Sequence, residues 1–244
     1  LIDLDTGNVF ERQSFAPRVM TTSPVHIPNQ KIYGTTVGHI FSQYMNPPVE
    51  AWAFDLGSPI DVAPILVGNT LVAISRRGDI AFLDPTSGSL LAKASIYGGC
   101  QANPVAGDSM VYLASLDQSI YGFALNGQQI WRVRTEQPFH ITPTYANSVL
   151  YVPSDDQGLL ALDAQTGIQL WNQPDIAGRV IGVRNGKLLT WDGLTAATLD
   201  PATGDIVSQA TLEGLDMLKT DKFVDGNLYA VSTGGIIARF VPKQ

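Results

Sequence analysis

Short apolar stretches, each closed by a polar or glycine-bearing turn, recur along the chain and read as many short buried β-strands. They fall on a fixed period. Pro24, Pro64, Pro104 and Pro143 stand in matching contexts, SPVHI, APILV, NPVAG and TPTYA, at spacings of 40, 40 and 39 residues. A further 39 residues leads to Gly182 in VIGVRN, and 39 more to Asp221 in TDKFVDG, where the proline is replaced but the flanking pattern persists. About eight residues after each marker comes an apolar strand, at 31–33, 70–72, 110–112, 149–151, 187–189 and 227–229. A turn and a further apolar stretch follow, at 80–84, 120–124, 159–163 and 196–200, three of them closing on Asp84, Asp163 and Asp200. Next stands a turn, Thr6-Gly7, Ser87-Gly88, Asn126-Gly127, Thr166-Gly167 or Thr203-Gly204, supplying the positive φ of a tight hairpin. A fourth strand begins there, and in two copies it carries Trp131 and Trp171, four residues beyond Gly127 and Gly167.

A unit of about 40 residues with four short strands cannot cover its own sheet faces, so units must stack. The expected fold is all-β, a β-propeller of four-stranded antiparallel blades. A β-sandwich also has many short strands but gives no reason for a fixed period, and helix-pair solenoids need helices that this pattern lacks. The chain opens inside a blade, with residues 1–5 as a third strand and 6–10 as a fourth, completes five units to about Thr211, and ends on three strands near Val241. Either the 6–10 strand supplies the missing fourth strand of the last unit, or upstream residues belong to a larger ring. Six to seven blades are expected, in a single domain over 1–244.

Composition narrows the function. With 45% hydrophobic residues among 244, a sizeable core is available, and 15% charged residues is low against roughly 25% for an average domain. The net charge of −7, from 15 basic and 22 acidic residues, argues against nucleic acid, whose backbone needs clustered Lys and Arg. No apolar run approaches the roughly 18 residues of a membrane span, so no transmembrane segment is expected. The absence of an initiator Met suggests a processed or truncated start. Membrane association would then come through a partner or an N-terminal lipid anchor. A single cysteine, Cys100, excludes an intramolecular disulfide and reads as a small buried hydrophobe.

The segment LALDAQTGIQLW at 160–171, with AFLDPTSGSLL at 81–91 and ATLDPATGDIV at 197–207 as weaker copies, resembles the repeat of PQQ-like (quinoprotein-type) propellers. The full Asp-x-x-Thr-Gly-x-x-x-Trp pattern appears once, and the copies with Ala92 and Ser208 depart at the tryptophan position. The resemblance implies that Trp131 and Trp171 dock against neighbouring blades, making them, with Gly127 and Gly167, structural. Many quinone-dependent dehydrogenases of the family stack an adjacent-cysteine disulfide on the cofactor beside a calcium ion. This chain has one cysteine and no recognisable acidic calcium cluster, so neither cofactor nor catalysis is expected. The chain is also similar to lipoproteins of the BamB type, which carry the same repeat and assist outer-membrane β-barrel assembly. That likeness implies a protein-interaction scaffold in the periplasm or cell envelope, with protein partners. The alternatives are a quinone-dependent dehydrogenase and a propeller binding a small ligand or glycan in its central channel.

Propeller connectivity sorts loops by face: fourth-to-first and second-to-third connections share one face. That face collects residues 76–77, 97–101, 117–118, 136–140, 155–157 and 175–179. Arg76, Arg77, Tyr97, Phe139 and Arg179 are residue types that dominate interface energetics. With His140, Asp155 and Asp156 they form the candidate partner-binding set, the competing reading being solvated loops. His26, His39 and His140 sit in different repeats without metal-ligand spacing, and the Asp155-Asp156 pair lacks the glycine-bearing calcium loop. The recurring Asp84, Asp163 and Asp200 are read as caps on turn N–H groups. No nucleophile elbow, zinc-protease helix, phosphate loop or dinucleotide fingerprint occurs.

Overall fold

The computed structural model describes residues 20–241, so the strands expected within 1–10 lie outside the described residues. Six antiparallel sheets follow one another along the chain as blades of a β-propeller. Sheet one comprises β1 (Val25–Ile27), β2 (Gln30–Gly34), β3 (His39–Tyr44) and β4 (Glu50–Asp55). Sheet two holds β5 (Ile65–Val67), β6 (Thr70–Ile74), β7 (Asp79–Leu83) and β8 (Leu90–Ser95), and sheet three β9 (Val105–Ala106), β10 (Met110–Ala114), β11 (Ser119–Ala124) and β12 (Gln129–Arg134). Sheet four holds β13 (Thr144–Ala146), β14 (Val149–Ser154), β15 (Gly158–Asp163) and β16 (Gln169–Gln173). Sheet five holds β17 (Arg179–Arg184), β18 (Lys187–Trp191), β19 (Thr195–Leu199) and β20 (Ile206–Thr211), and sheet six β21 (Leu215–Thr220), β22 (Leu228–Ser232) and β23 (Ile237–Phe240). The first strands β5, β9, β13, β17 and β21 adjoin one another in order, placing them innermost.

Stacking explains why the second and third strands read as continuous apolar runs. Val111 and Leu113 of β10 join the core against sheet two, while Met110, Tyr112 and Ala114 join the core against sheet four. Both faces of the strand are covered, so polar alternation has no place there. The outer strand β20 is half-buried only at Ile206 and exposed beyond it.

The repeat motif proves to be a rivet between blades. The Asp163 carboxylate accepts bonds from the backbone N–H of Gln165 at 3.1 Å and of Thr166 at 2.8 Å, with the Thr166 hydroxyl at 2.7 Å. Asp84 accepts likewise from Thr86 and Ser87, and Asp200 from Ala202. The turn then delivers Gly167, at φ +72°, against the Trp131 indole, where a Cβ would stand 2.7 Å from the ring. The Trp131 indole N–H donates to the Ala164 carbonyl at 3.0 Å, and Trp171 donates to that of Pro201 at 3.0 Å while covering Gly204. Sequence reasoning missed Trp52, which donates to the Pro85 carbonyl at 3.1 Å and covers Gly88. Between sheets two and three Ala92 replaces the indole and lies under Gly127.

Sheet six departs from the repeat. Among the described residues it has three strands, and Ile237 and Phe240 on its edge strand are 70% and 55% exposed. An apolar cleft of about 390 Å³ opens beside it, lined by Leu212, Leu215, Leu218, Leu228 and Phe240. Asp221 follows β21, which ends at Thr220, and does not precede a first strand as the proline markers do, while the apolar strand expected at 227–229 is found as β22. Asp221 instead closes a loop by accepting from the backbone and side-chain amides of Asn227, both at 2.7 Å. Within that loop Phe223 and Asp225 bond to Val183 of β17.

Candidate functional site

The two classes of loop that connectivity assigns to one face are fastened together there. Neighbouring fourth-to-first connections are joined across about one repeat: the Ala63 N–H donates to Asn103 Oδ1 at 3.0 Å, and the Asn103 N–H to Thr142 Oγ1 at 3.0 Å. His140 Nδ1 lies 2.8 Å from Gln101 Oε1. Second-to-third connections interleave with them, as Arg76 donates to the Pro59 carbonyl, Leu116 to that of Gly99 and Phe139 to that of Ser115. The Ser115 hydroxyl sits 2.8 Å from both the Tyr97 and Gly99 carbonyls.

The candidate residues differ in what they offer. Arg76 is held bidentately by Asp61, with Nε 2.5 Å and Nη2 2.8 Å from its oxygens. That guanidinium holds the Asp61 carboxyl below the usual carboxylate range. Arg77 is exposed and Tyr97 is 80% exposed. Asp155 and Asp156 occupy the exposed turn between β14 and β15. Asp156 accepts a bond from the Ser154 hydroxyl, and its carboxyl is thereby lowered. Phe139, expected in the partner-binding set, requires correction: it is 1% exposed and packs in the core with Trp131, Leu150 and Leu160. An aromatic ring following the outer strand gains more by filling the space between sheets three and four than by meeting solvent.

The structure brings His140 and Arg179 together. Both line a depression of about 440 Å³ with Ile141, Thr142, Trp191 and Asp192. Gly178 lies so close to the Trp191 backbone that a Cβ would stand 2.5 Å from its carbonyl carbon. Arg76, Arg77 and Tyr97 belong to other loops of the same face. In a neighbouring network Tyr121 donates to Asp117 Oδ2, which Arg132 approaches at 3.2 Å, while Asp117 Oδ1 is buried without a hydrogen-bond partner. Burial, aided by Asp117, pushes the Tyr121 phenol up to about 12. Cys100 is buried, which pushes its thiol up to about 12. Among the described residues no three His, Cys, Asp or Glu side chains gather as a metal cluster, and no helix is long and apolar enough to cross a membrane.

The repeated antiparallel sheets agree with comparisons to known proteins. A family model described as "Outer membrane protein assembly factor BamB" matches residues 76–239. The chain belongs to the BamB family. The BamB of Bordetella pertussis is 24% identical over 180 residues, covering 66% of this chain and 45% of that protein. The BamB of Burkholderia pseudomallei is 21% identical over 115 residues, covering 47% of this chain and 30% of that protein. The match thus spans less than half the length of these curated BamB relatives. In structure, BamB from Moraxella catarrhalis matches with a TM-score of 0.52 at 19% identity, over 95% of this chain and 86% of that one. The computationally designed Ika8 protein matches with a TM-score of 0.74 at 12% identity, over 92% and 71%. At these identities the two structures bear on the fold of the BamB family member alone.

Proposed function

We propose that the chain is a non-catalytic protein-interaction scaffold of a bacterial cell-envelope assembly. It acts in the periplasm, reaching the outer membrane through a partner or a lipid anchor. The observation that carries this reading is the loop face. Its connections are bonded to one another across blades while Arg77, Tyr97, His140 and Arg179 remain exposed. Loops ordered in advance lose little entropy on docking, so exposed Arg and Tyr side chains can convert contact into affinity. The names of the curated relatives, outer membrane protein assembly factors, supply the setting.

The test is crosslinking in native cell envelope followed by mild solubilisation, purification through this chain and mass spectrometry. The expected result is stoichiometric recovery of an outer-membrane assembly complex, lost in an Arg77→Glu, Tyr97→Ala variant whose thermal unfolding is unchanged. Recovery of the chain alone, or a complex indifferent to the variant, would overturn the reading or move the interface to another face.

A further inference from the structure

We propose that Arg179 and Lys219 form a binding site for an oxyanion, a carboxylate or phosphate group, on the inner strands of sheets four to six. A cavity of about 280 Å³ adjoins the His140 depression, sharing Thr142 and Arg179 with it. Its walls come from three neighbouring first strands: Thr144 of β13, Arg179 and Val180 of β17, and Lys219 and Thr220 of β21, with Phe223 alongside.

The charge pattern indicates what would occupy it. The chain carries 22 acidic against 15 basic residues, yet two basic side chains line this one cavity. The ion pairs among the described residues join Arg76 to Asp61, Arg132 to Asp117, Lys187 to Asp200 and His39 to Asp55, and none includes Arg179 or Lys219. The acid of the adjoining depression, Asp192, accepts from the Leu194 and Thr195 N–H groups at 2.8 and 2.6 Å and so caps its own turn. Two like charges beside a common space repel, and an anion between them removes the repulsion while accepting charge-assisted hydrogen bonds.

The hydroxyls complete the site. Thr144 and Thr220 donate to the Val180 and Ile181 carbonyls, both at 2.8 Å, which fixes the strands that carry the cations. Thr142 Oγ1 accepts from the Asn103 N–H, so its own hydrogen is free to donate to a ligand. The half-buried Phe223 gives an apolar wall, which suits an anionic group on a short carbon body.

The site does not depend on the scaffold reading. Its test titrates the intact chain at low ionic strength with inorganic phosphate, succinate and an acetylated tri-aspartate peptide, followed by calorimetry and by NMR of the Arg179 side-chain Nε–H. Saturable one-site binding of at least one probe is expected, weakened at least tenfold by Arg179→Gln and by Lys219→Gln. Arg134→Gln, an exposed arginine at the end of β12, is the control and should change nothing. Binding of the peptide but not the free ions identifies a protein carboxylate as the ligand, and binding of a free ion identifies a small molecule. Since Arg179 and Lys219 are both exposed, the variants should unfold at the parent temperature. No saturable binding at millimolar probe, no shift of the Arg179 resonance, or an equal loss in Arg134→Gln would overturn the proposal.

Discussion

Replacing Trp131 by alanine removes one rivet between sheets three and four, and the structure sets the size of the effect. The indole is 7% exposed, stacks on Tyr112 at 5.8 Å and donates to the Ala164 carbonyl at 3.0 Å. An aromatic side chain of this kind buries roughly 200 Å², which at about 25 cal/mol per Å² corresponds to about 5 kcal/mol as an upper figure. A truncation cost of about 3–5 kcal/mol is therefore expected. Trp131→Phe keeps a ring over Gly167 but loses the N–H donor, and should cost about 1–2 kcal/mol. Equilibrium urea unfolding followed by far-UV circular dichroism measures both, with the denaturant slope required to match the parent so that midpoints compare stabilities. A loss below about 1 kcal/mol for the alanine variant, or equal losses for alanine and phenylalanine, would refute the docking role of the ring and its hydrogen bond.

Other outcomes follow from the same geometry. Gly57→Ala, at φ +75° with nothing within 4 Å of its Cβ position, should cost about 1 kcal/mol, whereas Gly167→Ala, at φ +72° against the indole, should cost about 3 in the same unfolding assay. Hydrogen bonds lower the carboxyls of Asp84, Asp163 and Asp200, led by the Ser87 N–H, the Thr166 hydroxyl and Lys187 respectively. Their contribution to stability is present above the ordinary value of 3.8 and is lost as pH falls through the lowered folded values, so Asp163→Asn should flatten part of the acid limb of a stability-versus-pH curve. Cys100, buried and with its thiol pushed up to about 12, should resist a thiol reagent at pH 8 in the native chain and react promptly in urea.

The period was readable because the same physical problem recurs in every blade. A turn must cap its own N–H groups, which selects Asp84, Asp163 and Asp200, and must then pass against a ring, which selects Gly167 and Gly204. Trp52 escaped notice because its strand follows Asn46-Pro47-Pro48 and lacks the Asp-Thr-Gly approach, although it lies 40 residues before Ala92. Phe139 was legible as an aromatic in a face loop, but whether a loop side chain turns inward depends on the gap between two sheets, which no local pattern records. Likewise the pairing of His140 with Arg179 in one depression, and of Arg179 with Lys219 in another, arises from adjacency of successive blades. Their separations of 39 and 40 residues put them at near-equivalent positions of successive units, but the differing residue types hid the correspondence.

The rivets also determine how the molecule would come apart. Among the described residues each sheet packs on the next along the chain, so cohesion behaves as a row of couplings in series, and a chain of that kind parts at its weakest joint. Where Trp52, Trp131 and Trp171 bridge neighbours, a large ring and a hydrogen bond hold the outer strands; at Gly127 the Ala92 methyl and the Lys93 backbone stand in place of a ring. The outer edge of the boundary between sheets two and three, beyond its buried core of Val72, Phe82, Leu113 and Phe123, is thus where this stretch should open first. Amide hydrogens of β8 should exchange earlier than those of β12 and β16, and an indole installed at position 92 would find Gly127 already in place to receive it.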